Sequence, residues 1–206
     1  MRRRHFLEIS LNGIGGLLFY TLDRKPAQLN AQSVRVPLRF FTAAEAQIVA
    51  AAAARIFPSD DAGPGAREAG VIVYIDRQLA SPYGRDRYRY THPPFAEGPP
   101  ELGYQGKATP REIYRQGIVA LGAKFARLDA AAQDQALRKI EKTIFFTLLR
   151  THTIEGMFCD PMHGGNAGMI GWQLIGFPGP RMSFDEEIEK YYGREFRPKP
   201  ASLKDL

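Results

Sequence analysis

The sequence predicts an all-α fold: a compact, bundle-like helical domain with long Gly/Pro-rich loops, preceded by an N-terminal signal segment. Three observations carry this expectation. Thr42-Ala43-Ala44-Glu45 and Thr109-Pro110-Arg111-Glu112 both place a hydroxyl three residues before a glutamate, so side chain and backbone can satisfy each other's free N–H groups at a helix start. Apolar residues recur at three- and four-residue spacing downstream of each start. The 20 glycines and 15 prolines are gathered between those periodic stretches rather than spread through them. Each apolar stripe must be covered, and packing helices on one another is the economical way to do it.

In chain order, the first element is an address. Met1-Arg2-Arg3-Arg4-His5 is a positive head, followed by the modestly apolar window Ile9 to Leu22. The layout is similar to a twin-arginine export signal, with Arg3 and Arg4 as the pair and Phe6 and Leu7 in the positions that follow it. The window is too short and mixed for a transmembrane span, which needs roughly 20 apolar residues. The competing reading is an amphipathic N-terminal helix. A signal over residues 1–31, with Ala27 and Ala31 as plausible ends, leaves a single domain over residues 38–206. It also removes five Lys/Arg and two acids, lowering the net charge from +6 to +3. A nucleic-acid role then loses its main support.

Thr42 starts a helix whose alanine-rich run ends at Phe57, before Pro58. Ile48, Ala52 and Ile56 are expected on one apolar face. Asp60 to Gly65 reads as a solvated turn rather than a calcium loop, because no EF-hand spacing follows. A second helix is expected over residues 67–80, with Ile72, Ile75 and Leu79 on one side. Residues 81–108 alternate Arg and Tyr between 85 and 90 and are rich in Gly and Pro. They suggest a short strand, an extended arm, or a loop draped over this protein or a partner. Thr109 begins the next helix, carrying Ile113, Gly117, Leu121 and Phe125 to about Leu128. Asp129 caps another from Ala130, with Leu137, Ile140, Ile144, Phe145 and Leu148 as core candidates.

The stretch from Thr151 to Pro180 concentrates glycines with chemically capable side chains: His152, Cys159, Asp160, His163, Asn166 and Trp172. Cys159 with His163 suggests a thiolate–imidazole pair, and adding Asp160 and His152 suggests a metal set. Pro161 and the Gly164-Gly165 pair break the helical spacing that either needs, which favours structural or interface use. No Walker loop, GxSxG elbow, HExxH or dinucleotide loop is present. A single cysteine excludes an internal disulfide, any CxxC centre and a CxxCH haem site.

Glu155-Gly156-Met157-Phe158, Asp160-Pro161, His163-Gly164-Gly165-Asn166, Gly171-Trp172 and Gly176-Phe177-Pro178-Gly179 together resemble the C-terminal pattern of the gluconate 2-dehydrogenase subunit 3 family. The resemblance extends over about residues 40–192, from the helix ending at Ile56-Phe57-Pro58 to Tyr191-Tyr192-Gly193. It implies a non-catalytic small subunit. The large subunit would carry FAD and the sugar-oxidising residues, and a cytochrome c subunit with haem c would take the electrons. This chain would hold no cofactor. It would assist export through the twin-arginine translocase and stabilise a periplasmic complex associated with the cytoplasmic membrane. Phe158, Cys159, Asp160, His163, Gly164, Gly165, Asn166, Trp172, Phe177 and Pro178 then become a structural motif or partner interface. Two other classes stand beside this one: an independent periplasmic scaffold or assembly factor, and a free-standing enzyme using Cys159, His163 and Asp160. An odd cysteine in an exported protein is either a buried thiol or bonded to another chain, so Cys159 is the candidate intersubunit disulfide.

Overall fold

The computed structural model describes residues 19–21, 35–89, 92–96, 98–196 and 198–205. Arg3, Arg4, Phe6 and Leu7 lie outside the described residues, as does most of the expected signal segment. Within that segment Phe19–Thr21 (β1) is described, paired antiparallel with Arg35–Pro37 (β2). Everything else of regular structure among the described residues is helical. The seven α-helices among these residues are α1 (Ala43–Ile56), α2 (Val71–Ala80), α3 (Pro110–Leu121), α4 (Ala130–Ile140), α5 (Ile144–Phe158), α6 (Ile170–Ile175) and α7 (Asp185–Tyr191). None of the described helices is long and apolar enough to cross a membrane.

Both expected capping boxes form, Thr42 with Glu45 and Thr109 with Glu112. The first helix departs from the one-face expectation. Ile48, Val49, Ala50, Ala51, Ala52 and Ala53 are consecutive and all buried, so the middle of α1 is covered around its circumference. It packs against α2, α3, α4 and α5. Alanine makes this possible, because a helix with short side chains admits neighbours on every side without losing helix propensity. On α3, Gly117 faces the Phe145 ring of α5 so closely that a Cβ there would sit 2.0 Å from it.

The second helix begins four residues later than the sequence suggests. Gly70 takes a left-handed conformation (φ 67°), and residues 66–70 turn before the helix starts at Val71. Ile72, Ile75 and Leu79 are buried as expected. The long helix expected from Ala130 is two, because the chain breaks after Ile140 and restarts with Thr143 as N-cap of α5. Leu137 and Phe145 reach the core, whereas Ile140, Ile144 and Leu148 are half-buried. Residues 83–89 form neither strand nor extended arm. Tyr83–Arg85 is a 3-10 turn, and Asp86 (φ 60°) closes it and pairs with Arg89.

One buried charge organises the entry to the domain. Asp76 on α2 is 1% exposed and accepts backbone N–H groups from Arg39 (2.6 Å), Phe40 (3.0 Å) and Phe41 (2.9 Å). Three donors offset the loss of water around a buried carboxylate. The same segment is held from above. The Phe40 ring lies under the guanidinium groups of Arg111 and Arg115, and Phe41 packs on Tyr114. Arg115 also donates to the Phe40 carbonyl and pairs with Glu45.

Replacing Asp76 by Ala strands three N–H groups, and the expected loss of unfolding free energy is about 3–5 kcal/mol. Asp76→Asn keeps one acceptor oxygen and is expected to lose roughly half as much. Urea denaturation of both variants checks this; equal losses, or none, would contradict the three-donor account.

Candidate functional site

The candidate residues converge on the C-terminal end of α5. A helix ends with carbonyl groups that have no partner within it, and a buried end must find them elsewhere. Here the following loop supplies them. Asn166 donates its backbone N–H to Gly156 O (2.7 Å) and its Nδ2 to Cys159 O (2.9 Å). Trp172 donates its indole N–H to Phe158 O (2.7 Å). Asn166 Oδ1 accepts from Gly171 N (2.8 Å), so one fully buried amide ties three segments together. Asparagine suits the position twice, because its backbone is left-handed (φ 46°) and its side chain both donates and accepts. Gly171 lies against the same helix end, where a Cβ would sit 2.0 Å from Met157 O.

Asp160 ties in the C-terminus. Its carboxylate caps the 3-10 turn Pro161–His163 through Met162 N and accepts from Ser202 Oγ (2.6 Å) and Leu203 N (2.9 Å). Partial burial works to raise its pKa, but these three donors and nearby His163 outweigh it and hold the group below its ordinary value. Beside it, Ala201 N donates to Pro178 O, and Phe177 packs edge-on against Trp172. Trp172 and Pro178 are buried, Phe158 and Phe177 half-buried, and His163 exposed. Among the described residues, no group of three His, Cys, Asp or Glu side chains is placed to hold a metal. Gly164–Gly168 also does not fit a dinucleotide phosphate, since the Gly164 and Asn166 N–H groups are turned onto Pro161 O and Gly156 O.

Cys159 caps α5 and is half-buried and unbonded within the chain. Burial, with the charges of Asp160 and Glu155, pushes its thiol up to about 11 against the opposing Gly165 and Cys159 N–H groups. Such a thiol holds about one part in 10⁴ as thiolate at neutral pH, a poor start for nucleophilic chemistry.

His152 belongs to a different assembly. It is 2% exposed and lies between two tyrosines, Nε2 at 2.9 Å from Tyr83 Oη and Nδ1 at 2.8 Å from Tyr114 Oη. Tyr114 is fully buried and stacks on the imidazole, so its hydrogen must go to Nδ1. Nε2–H then donates to Tyr83, which is nearer solvent. Burial lowers the His152 pKa to about 4, and burial first, then the other tyrosines and Glu155, raises that of Tyr114 well above the ordinary range. Both nitrogens are engaged, which separates His152 from Cys159 and Asp160. Sequence reasoning did not single out Asp76, Tyr83, Tyr114 or Ser202. Only Asp76 leaves a mark, as a lone acid inside the apolar run Val71 to Leu79.

A family model described as gluconate 2-dehydrogenase subunit 3 matches residues 43–179. The chain belongs to this family. Comparisons with curated proteins and with solved structures returned no match. The stretch matched by the subunit 3 model runs from the first residue of α1 to Gly179, so it contains the α5 cap and stops before α7.

Two measurements test this geometry. Asn166→Asp exchanges the donor facing Cys159 O for a carboxylate oxygen, with an expected loss of about 2–4 kcal/mol in urea unfolding; a neutral result would contradict the cap. The second concerns His152. The unfolded imidazole titrates near 6.5 and the folded one near 4, so the unfolded chain takes up the proton first. Its contribution is complete above pH 6.5, declines as the pH falls, and is lost by about pH 4, on the order of 3 kcal/mol in all. His152→Gln is expected to remove that part of the pH dependence, and identical pH profiles would refute the assignment.

Proposed function

We propose that this chain is the non-catalytic small subunit of a periplasmic, flavin-dependent sugar or polyol dehydrogenase. It aids twin-arginine export, assembly and stability of a large subunit that carries FAD and the oxidising residues. A cytochrome c subunit with haem c takes the electrons, and the assembly is associated with the cytoplasmic membrane through the complex. Family membership supports this reading. The observation that carries it is where the motif's polar groups are spent. Asn166 and Trp172 satisfy the carbonyls at the end of α5, and Asp160 the N–H groups of Met162 and Leu203, leaving them structural work rather than a reacting atom. The high thiol pKa of Cys159 and the engagement of both His152 nitrogens favour the same reading over the enzyme alternative.

Dye-linked dehydrogenase activity is expected only when the chain is co-expressed with its large subunit, and activity from the isolated 23.0 kDa chain would refute the accessory role. Replacing Arg3 and Arg4 by Lys is expected to shift that activity from periplasm to cytoplasm; unchanged periplasmic activity would show that another signal exports the pair. Cys159 is proposed as the intersubunit disulfide. Non-reducing electrophoresis of the complex should then show a large-plus-small band that collapses on reduction and is missing in Cys159→Ser. Free small subunit in both lanes would leave Cys159 as a half-buried thiol.

A further inference from the structure

Beyond the matched family stretch, residues 181–192 form an arm with an unusual surface. Phe184 and Tyr192, the N-cap and C-cap of α7, stand four residues either side of Ile188, so the three mark one side of the helix. In chain order they are 38%, 61% and 86% exposed, and Met182 just before them is completely exposed. Asp185 and Glu189, three residues before Ile188 and one after it, border one edge of this stripe, Glu186 lies opposite it, and Glu187 pairs with Arg181. Four acids against Arg181 and Lys190 make the arm negative in a chain whose net charge is +6.

A seven-residue helix is well short of the roughly 12–15 residues needed for stability on its own. The segment that carries it is anchored at both ends. The chain on either side is closed by Ala201 N on Pro178 O (3.1 Å), and by Ser202 and Leu203 on Asp160. Tyr191 packs on Phe196 at its C-terminal end. These links fix the base of the arm, while α7 itself buries no residue, so a partner that covers the stripe supplies the packing that the helix lacks.

The charge pattern decides what kind of partner fits. An anionic lipid surface calls for Lys and Arg around an apolar helical stripe, and here the flanks are acidic. A second copy docked through the same face would oppose acids to acids across the two-fold axis. An apolar groove rimmed by Lys and Arg satisfies both the stripe and its flanks. We propose that the 181–192 arm docks, helix in groove, into such a basic-rimmed cleft on the large dehydrogenase subunit, with Ile188 as its central anchor. The proposal rests on the subunit reading above and assigns it a contact surface outside the family's matched residues.

The test uses the full-length tagged chain co-expressed with the large subunit, with retention of the latter measured across a salt series. Ile188→Asp is expected to lower retention roughly tenfold or more, as for a central apolar anchor. The double variant Asp185→Lys/Glu189→Lys is expected to weaken retention at low salt and flatten its salt dependence. Thermal unfolding of each free variant, expected within a few degrees of wild type, shows that the domain itself is intact. Undiminished retention by both variants beside normal wild-type retention overturns the arm and leaves the subunit reading standing. No retention by the wild-type chain overturns the subunit reading itself. A free chain that forms a dimer split by Ile188→Asp, or that binds anionic vesicles through this face, assigns the arm to another occupant and also overturns the proposal.

Discussion

The buried carbonyl end of α5 is the constraint on which the second half of this molecule depends. Helix interiors satisfy themselves, but a helix that stops inside a protein presents acceptors that water no longer reaches. Here Gly156, Phe158 and Cys159 offer their oxygens to a loop that returns with an asparagine amide and an indole N–H. That requirement accounts for residue types that look chemical in isolation. Asn166 is there for its two-sided amide and its left-handed backbone, and Gly171 because only a residue without a Cβ fits against Met157 O. Cofactor loops are also rich in glycine and asparagine, since both uses require close backbone approach and directed N–H groups. What separates them is where the donors point.

The same physics operates with opposite sign on α2. Asp76 collects three N–H groups where the chain enters the fold, as Asn166 and Trp172 supply donors to an orphaned helix end. The Tyr83–His152–Tyr114 chain crosses from the loop after α2 to α3 through α5. Buried polar groups of this kind are costly unless each is satisfied, and among the described residues no buried side-chain nitrogen or oxygen lacks a partner. Together they position α2, α3 and α5 around the alanine-covered α1, so the core is specified by hydrogen-bond geometry as well as by apolar fit.

This division of labour bears on function. Within the matched family stretch, Asn166, Trp172 and Asp160 are turned onto the chain's own backbone. An exposed apolar and acidic surface lies on α7, past that stretch. The segment that bears it is latched onto the scaffold at its base through Asp160 and Pro178.

The sequence by itself determined three helix starts, because those starts are local chemistry. Thr42 with Glu45, Thr109 with Glu112, and Asp129 cap helices where their spacing says they should. The apolar positions Ile72, Ile75, Leu79, Leu137 and Phe145 were also legible, since burial follows period. Where α2 begins was not, because a left-handed Gly70 is one of several conformations glycine permits. Nor was the break after Ile140, since apolar spacing continues across it. The site was legible only as a cluster of residue types. That Asn166, Trp172 and Asp160 serve helix ends and the C-terminus, that His152 joins two tyrosines rather than Cys159, and that Asp76 holds the entry strand were decided by tertiary structure. Each depends on a partner far away in the chain, such as Ser202 for Asp160 and Phe41 for Asp76, and no local pattern encodes which distant donor a buried acceptor will meet.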